Sequence, residues 1–152
     1  MTQIAFRRAE AADLPAIVAL LADDPLGRQR ESPGSPLNSA YVDALQAISA
    51  DPNQLLAVVT EGDTVIGTLQ ISFIPGISRQ GAWRGQIEAV RIAAARRNSG
   101  LGRQMFEWAI AQCKSRGCRL VQLTTGKERP DAHRFYEKLG FVDSHIGYKL
   151  AL

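Results

Sequence analysis

Hydrophobic and polar positions alternate from Ile4 to Arg8, the period of a first strand. Asp13 stands where a helix cap belongs, with Pro15 in the first turn, and predicts a helix through Ala22. The stretch PLGRQRESPGSPLNS, 25–39, carries three prolines and two glycines and is expected to be loop. Tyr41, Leu45 and Ile48 then recur at helical spacing behind Ser39, which predicts a helix from Ala40 to about Ser49. Two β-rich runs, Leu55 to Thr60 and Thr64 to Phe73, meet at Glu61-Gly62-Asp63 and read as a hairpin. A further strand is expected near Gly85–Ile92.

Beyond this point the period changes. Met105, Phe106, Ala109, Ile110 and Cys113 fall at helical intervals between Gly100 and Arg116, and Gly117 ends the run. Leu120 to Thr125 reads as a strand, and Pro130 to Leu139 as a helix stopped by Gly140. Phe141–Val142 and Ile146–Leu150 are expected to close the sheet. The order β-α-α-β-β-β-α-β-α-β, with a second short closing strand, describes one α/β domain over residues 3–150. Its central mixed β-sheet is flanked by helices.

The chain has 152 residues, 45% hydrophobic and 22% charged, which is ordinary for a globular domain. Charges interrupt every apolar stretch before it could span a membrane. The N-terminus lacks a long apolar run after a basic start, so no secretory signal is read there and a cytoplasmic location is expected. Two cysteines exclude a disulfide scaffold, and His133 and His145 lack companions at metal-ligand spacing, so no metal is expected. Net charge is +3, but residues 1–78 carry −5 and residues 79–152 carry +8. The second half is thus suited to something anionic, unless it is simply a solvated basic surface.

The most informative segment is Arg96-Arg97-Asn98-Ser99-Gly100-Leu101-Gly102-Arg103, between a strand and a helix. Two glycines allow close backbone approach, and free N–H groups at a helix start favour an anion such as pyrophosphate. A plain helix-start turn would explain the same glycines. The string G-x-x-x-x-G-K-[ST] of a P-loop is missing, and Met105 stands where the dinucleotide fingerprint needs its third glycine.

Arg97-x-x-Gly100-x-Gly102 resembles the [QR]-x-x-G-x-[GA] signature of the GNAT acetyltransferase superfamily. Ala132-x-x-Phe135-Tyr136-Glu137-Lys138-Leu139-Gly140-Phe141 resembles a second element of that family, in the right order and about thirty residues on. The resemblance implies acetyl-CoA as the acyl donor and an amine as the acceptor. It also implies that Val90, Arg91 and Ile92 hold the pantetheine arm, and that Arg97, Asn98, Ser99, Gly100, Leu101, Gly102 and Arg103 surround the pyrophosphate. Many members carry an asparagine where Arg129 stands.

An alkyl amine of pKa near 10 is almost fully protonated at neutral pH, and supplying its neutral form costs roughly 4 kcal/mol. Glu88 is the candidate base. Strict alternation would set it on one face with Gln86, Val90 and Ile92, among apolar neighbours that raise a carboxyl's pKa. The alternative is a salt bridge to Arg84, Arg91 or another basic group. Tyr136 is the candidate acid toward the departing thiolate, which the resemblance implies lies beside it. Helical spacing alone would make Tyr136 a core aromatic. An acyl-cysteine route through Cys113 or Cys118 lacks a paired histidine.

The 25–39 loop carries Arg28, Arg30 and Glu31. The arginines suit a carboxylate and Glu31 a second ammonium group, which points to a small amine bearing an acid, such as an amino acid. Solvated charges on a loop are the competing explanation. The partner expected is therefore a small-molecule amine, with no nucleic acid and no membrane, and a homodimer is compatible with the reading. Arginines gathered at one turn without aromatic platforms do not make a nucleic-acid surface. A protein or peptide N-terminal acetyltransferase and a non-catalytic acetyl-CoA-binding module are the alternatives.

Overall fold

The computed structural model describes residues 2–152. They group into two compact units, Met1–Gln122 and Leu123–Leu152. The first holds β1 (Ile4–Arg8), a 3-10 turn (Ala11–Asp13), α1 (Leu14–Ala22), α2 (Pro25–Arg30), α3 (Ser39–Ala50), β2 (Gln54–Glu61) and β3 (Thr64–Ile74). It continues through the single turn α4 (Ser78–Gly81), β4 (Arg84–Ile92), a second 3-10 turn (Ala94–Arg96), α5 (Leu101–Ser115) and β5 (Leu120–Gln122). The second unit contains α6 (Pro130–Lys138).

The five strands form one sheet in sequence order. Strands β1 to β4 are antiparallel neighbours, and β5 joins β4 in parallel over Arg84–Leu120, Gly85–Val121 and Gln86–Gln122. The sheet is therefore mixed, as the element order predicts. Side chains alternate between its faces. One face buries Leu56 and Val58 against Leu14, Ile17 and Val18 of α1 and Leu45 of α3. On the other, a Cβ at Gly67 would stand 3.1 Å from Met105 Sδ of α5, so Leu69, Ile71 and Phe73 share the α5 side.

Several sequence expectations are corrected. Pro25–Arg30 is helix rather than loop. Proline is tolerated at a first helical position, and the Asp24 carboxylate accepts the Gly27 N–H. Gly27 is required because a Cβ there would lie 2.0 Å from the Leu21 carbonyl oxygen. Asp13 does not cap α1; its carboxylate accepts the Glu10 N–H at 2.8 Å and both guanidinium arms of Arg7 at 2.7 and 2.9 Å, which ties β1 to the start of α1. Asn38, not Ser39, caps α3 through the Ala40 N–H. β5 stops at Gln122, and Phe141–Val142 and Ile146–Leu150 form no strand. The alternation of Ile146, Tyr148 and Leu150 is present, but a strand needs a ladder partner, and Tyr148 is 90% exposed.

Both long C-terminal helix ends close by the same device. Gly117 (φ 77°) donates to Lys114 O and Cys118 N–H to Cys113 O; Gly140 (φ 94°) donates to Glu137 O and Phe141 N–H to Tyr136 O. These paired bonds are Schellman caps, and the left-handed residue is glycine because it alone has no Cβ penalty there. The first cap lays Cys113 and Cys118 beside β4. A Cβ at Gly85 would stand 2.3 Å from Cys113 Sγ and 3.9 Å from Cys118 Sγ. Burial pushes the Cys113 thiol up to about 11, which keeps it a neutral packing group.

Gly85→Ala should therefore lower stability by about 1–3 kcal/mol, the usual cost of overpacking. Combined with Cys113→Ala, the loss should be smaller than the sum of the two single losses, as read from denaturant unfolding midpoints.

Candidate active site

The register between β3 and β4 contains one irregularity. Thr68 faces Arg91 while Gln70 faces Glu88, so Ala89 and Val90 both stand opposite Leu69. Ala89 takes up the extra residue with φ 54°, a left-handed conformation uncommon for a residue with a side chain. This β-bulge resets the alternation of the strand. Glu88 and Arg91, three apart in sequence, come to the same face, because their partners Gln70 and Thr68 are two apart on β3. Ile92 pairs with Gly67 and so belongs to the α5 side.

The expected apolar surroundings of Glu88 are thus overturned. Its side chain is exposed and shares its face with Gln70, Gln86 and Arg91, whereas Ile92 belongs to the opposite face. The polar character extends across the sheet. Gln70 Nε2 and Ser72 Oγ donate to Gln54 Oε1 at 3.0 and 2.9 Å, and Gln122 Nε2 donates to Gln86 Oε1 at 2.8 Å. A largely apolar cavity of about 140 Å³ opens on the same side, lined by Ile17, Leu21, Tyr41, Thr68, Gln70 and Ala89. Sequence reasoning missed Thr68, Gln70 and Ala89; the period of two continues through them, and only the β3 register reveals the bulge.

Because β5 pairs only with Arg84, Gly85 and Gln86, no strand among the described residues pairs with the outer edge of β4 from Ile87 to Ile92. Beyond β4, the chain turns through the Ala94–Arg96 helix, Asn98 (φ 60°) and Gly100 (φ 84°) into α5. The first N–H groups of a helix have no partner within it. Gln104 N–H bonds back to Gly100 O at 3.3 Å, which leaves those of Leu101, Gly102 and Arg103 at the open end. Nothing lies within 4 Å of where a Cβ at Gly100 would stand. An extended chain with a diphosphate group fits this edge and turn. Ser99 Oγ steadies the turn by donating to Arg96 O at 2.6 Å.

The arginines of the turn are already committed. Arg97 reaches Asp23 at 3.0 Å, Arg96 pairs with Glu61, and Arg103 pairs with Glu107 at 2.8 Å on the exposed face of α5. Leu101 is buried and serves the core. Arg91 turns to the α1 side and lies 3.2 Å from Asp24. Of the residues expected at an acceptor, Glu31 accepts the Tyr41 hydroxyl at 2.8 Å, and Arg28 and Arg30 are exposed on α2. Two positions apart on a helix, those arginines point about 200° from one another and do not form one clamp.

Tyr136 belongs to the second unit, half-buried on α6, with its ring edge-on to Phe135 at 5.6 Å and Phe141 at 6.1 Å. His133 there meets the Gly126 carbonyl at 2.8 Å. Among the described residues no group of three His, Cys, Asp or Glu could hold a metal ion.

The acetyltransferase (GNAT) family matches residues 16–141, most of the chain. The chain belongs to the GNAT acetyltransferase family. Among its relatives, the aminoalkylphosphonate N-acetyltransferase of Salmonella typhimurium is 28% identical over 113 residues, 74% of this chain and 73% of that one. A transcriptional regulator from Bacillus halodurans superposes with a TM-score of 0.95 at 47% identity, covering 99% of this chain and 100% of that one. A putative acetyltransferase from Agrobacterium tumefaciens gives 0.84 at 28% identity, covering 97% and 99%. The GNAT fold of this chain thus includes the bulged strand and glycine turn already described.

The bulge gives a direct stability test. Left-handed φ costs an alanine about 1–2 kcal/mol, and glycine loses about 0.5–1 kcal/mol more backbone entropy on folding. Ala89→Gly should therefore raise stability by up to about 1 kcal/mol, and Ala89→Val should lower it, both read from urea midpoints.

Proposed function

We propose that the chain transfers an acetyl group from acetyl-CoA directly to the amine of a small molecule bearing an acidic group. The observation that carries this reading is the bulged β4, whose unpaired edge leads into an anion-ready turn while its exposed Glu88 stands on the sheet face from which the cavity opens. The pantetheine arm would lie along Val90, Arg91 and Ile92 through their backbone. The pyrophosphate would meet the backbone of Asn98 through Arg103, with Arg97 bracing that turn from behind. The name of the Salmonella relative supports an acceptor that combines an amine with an acid.

Glu88 takes the ammonium proton, by way of water given its exposure, so that the nitrogen lone pair can attack the thioester carbonyl. As the carbon–sulfur bond breaks, its electron pair leaves on the thiolate, to which the Tyr136 hydroxyl supplies a proton. A thiol of pKa near 8.5 leaves fairly well unaided, so the acid contributes moderately. A second reading, nucleic-acid binding, is favoured by the name of the Bacillus halodurans neighbour. Pairing of Arg91, Arg96 and Arg97 with acids of the first half leaves less free positive charge for it. A steep loss of nucleic-acid affinity with salt would identify that function.

Thiol release measured over amino acids, aminoalkylphosphonates, polyamines, aminoglycosides and peptides tests the transferase reading. Glu88→Gln should depress the rate most at neutral pH and recover at high pH, where the amine loses its proton unaided; an unaltered pH profile removes Glu88 as base. Tyr136→Phe should cost about 10²–10³-fold in rate. Gly102→Val should weaken acetyl-CoA binding by calorimetry, because a side chain would then stand at the open helix end; unchanged affinity removes the proposed phosphate seat.

A further inference from the structure

Resting on that transferase reading, we propose that the Arg91 guanidinium holds the acid group of the acceptor while its amine faces Glu88. Strict alternation would place these two residues on opposite faces; the bulge brings them to one face, opposite Thr68 and Gln70. Two strand residues rise about 7 Å. A short spacer of one or two carbons between nitrogen and acid, with hydrogen bonds of about 2.9 Å at each end, suits that interval. Thr68, Gln70 and Ala89 line the cavity on this side.

The charges are arranged accordingly. Arg91 Nη1 donates to the Val90 carbonyl at 2.9 Å, which fixes the guanidinium. Its Nε is buried without a hydrogen bond, although Asp24 Oδ2 lies 3.2 Å away. Asp24 cannot turn fully toward it, because its other oxygen accepts the Gly27 N–H at the start of α2. That bond, with the charges of Arg91 and Arg30, holds the Asp24 carboxyl below its ordinary pKa. The one negative charge of Asp24 is thus felt by two arginines, Arg91 in contact and Arg30 through its charge alone, so it does not cancel both, while Glu88 carries the opposite sign. A zwitterionic acceptor matches both ends. A planar guanidinium also suits the paired oxygens of a carboxylate or phosphonate.

The test compares 2-aminoethylphosphonate and β-alanine with neutral 2-aminoethanol in the thiol-release assay. The wild-type protein should prefer the acidic acceptors by at least tenfold in kcat/KM. Arg91→Gln should reduce that preference toward one, through KM, and Arg91→Lys should retain part of it. A guanidinium that only fastens Asp24 would lower every acceptor alike and leave the ratio unchanged, which overturns the proposal. Should Arg91→Gln not fold, competition with the wild-type protein decides: ethylphosphonate should inhibit competitively against the acceptor and ethanol should not. No competition by the acid also overturns it. Turnover of neutral amines with no preference for acids overturns the role of Arg91 alone; turnover of no amine removes the transferase reading with it.

Discussion

One surplus residue in β4 decides which side chains the strand presents to each face of the sheet. Leu69 faces both Ala89 and Val90, and the ladder on either side must shift by one to accommodate them. The strained φ at Ala89 persists because paired residues flank it, Gln86 to Glu88 below and Arg91 to Ile92 above. With the shift, a strand that would have offered alternating residues to two cores presents Glu88 and Arg91 together. It also turns Ile92 to the α5 side. Without the shift, Glu88 and Arg91 would fall on opposite faces of the sheet.

The opposite net charges of the two halves acquire a physical meaning in the fold. Asp23 and Asp24, at the junction of α1 and α2, reach Arg97 and Arg91, and Glu61 reaches Arg96. Part of the basic second half therefore neutralises the acidic first half within one unit. These pairs are partly exposed and contribute little stability individually. Their value is positional: they hold the α1–α2 junction against the strand and turn through which a donor would be bound.

The periodic elements were legible from residue pattern because their side chains face a core on one side: α1, α3, β2, β3, β4 and α5 lie within a few residues of expectation. The glycine turn was legible from Gly100, whose left-handed conformation is a local requirement. The environment of Glu88 was not, because a bulge is a relation between two strands and leaves no mark in the period of one. α2 was hidden by Pro25 and Gly27, residues that usually end helices; here one occupies a first turn and the other meets the Leu21 carbonyl. The closing strands failed for the opposite reason. Their alternation was correct, but pairing is nonlocal and no ladder forms beyond Gln122.

The antiparallel run β2–β3–β4 is joined by the Glu61–Thr64 turn and by the short connection through α4. β1 must instead wait for α1, α2 and α3 to be traversed, and β5 for α5. Closing short loops costs less chain entropy than closing long ones, and local pairings assemble faster than distant ones. The bulge lies wholly inside the locally connected meander. The surface that presents Glu88 and Arg91 is therefore available to form early, as a template on which the helices that roof the cavity later settle.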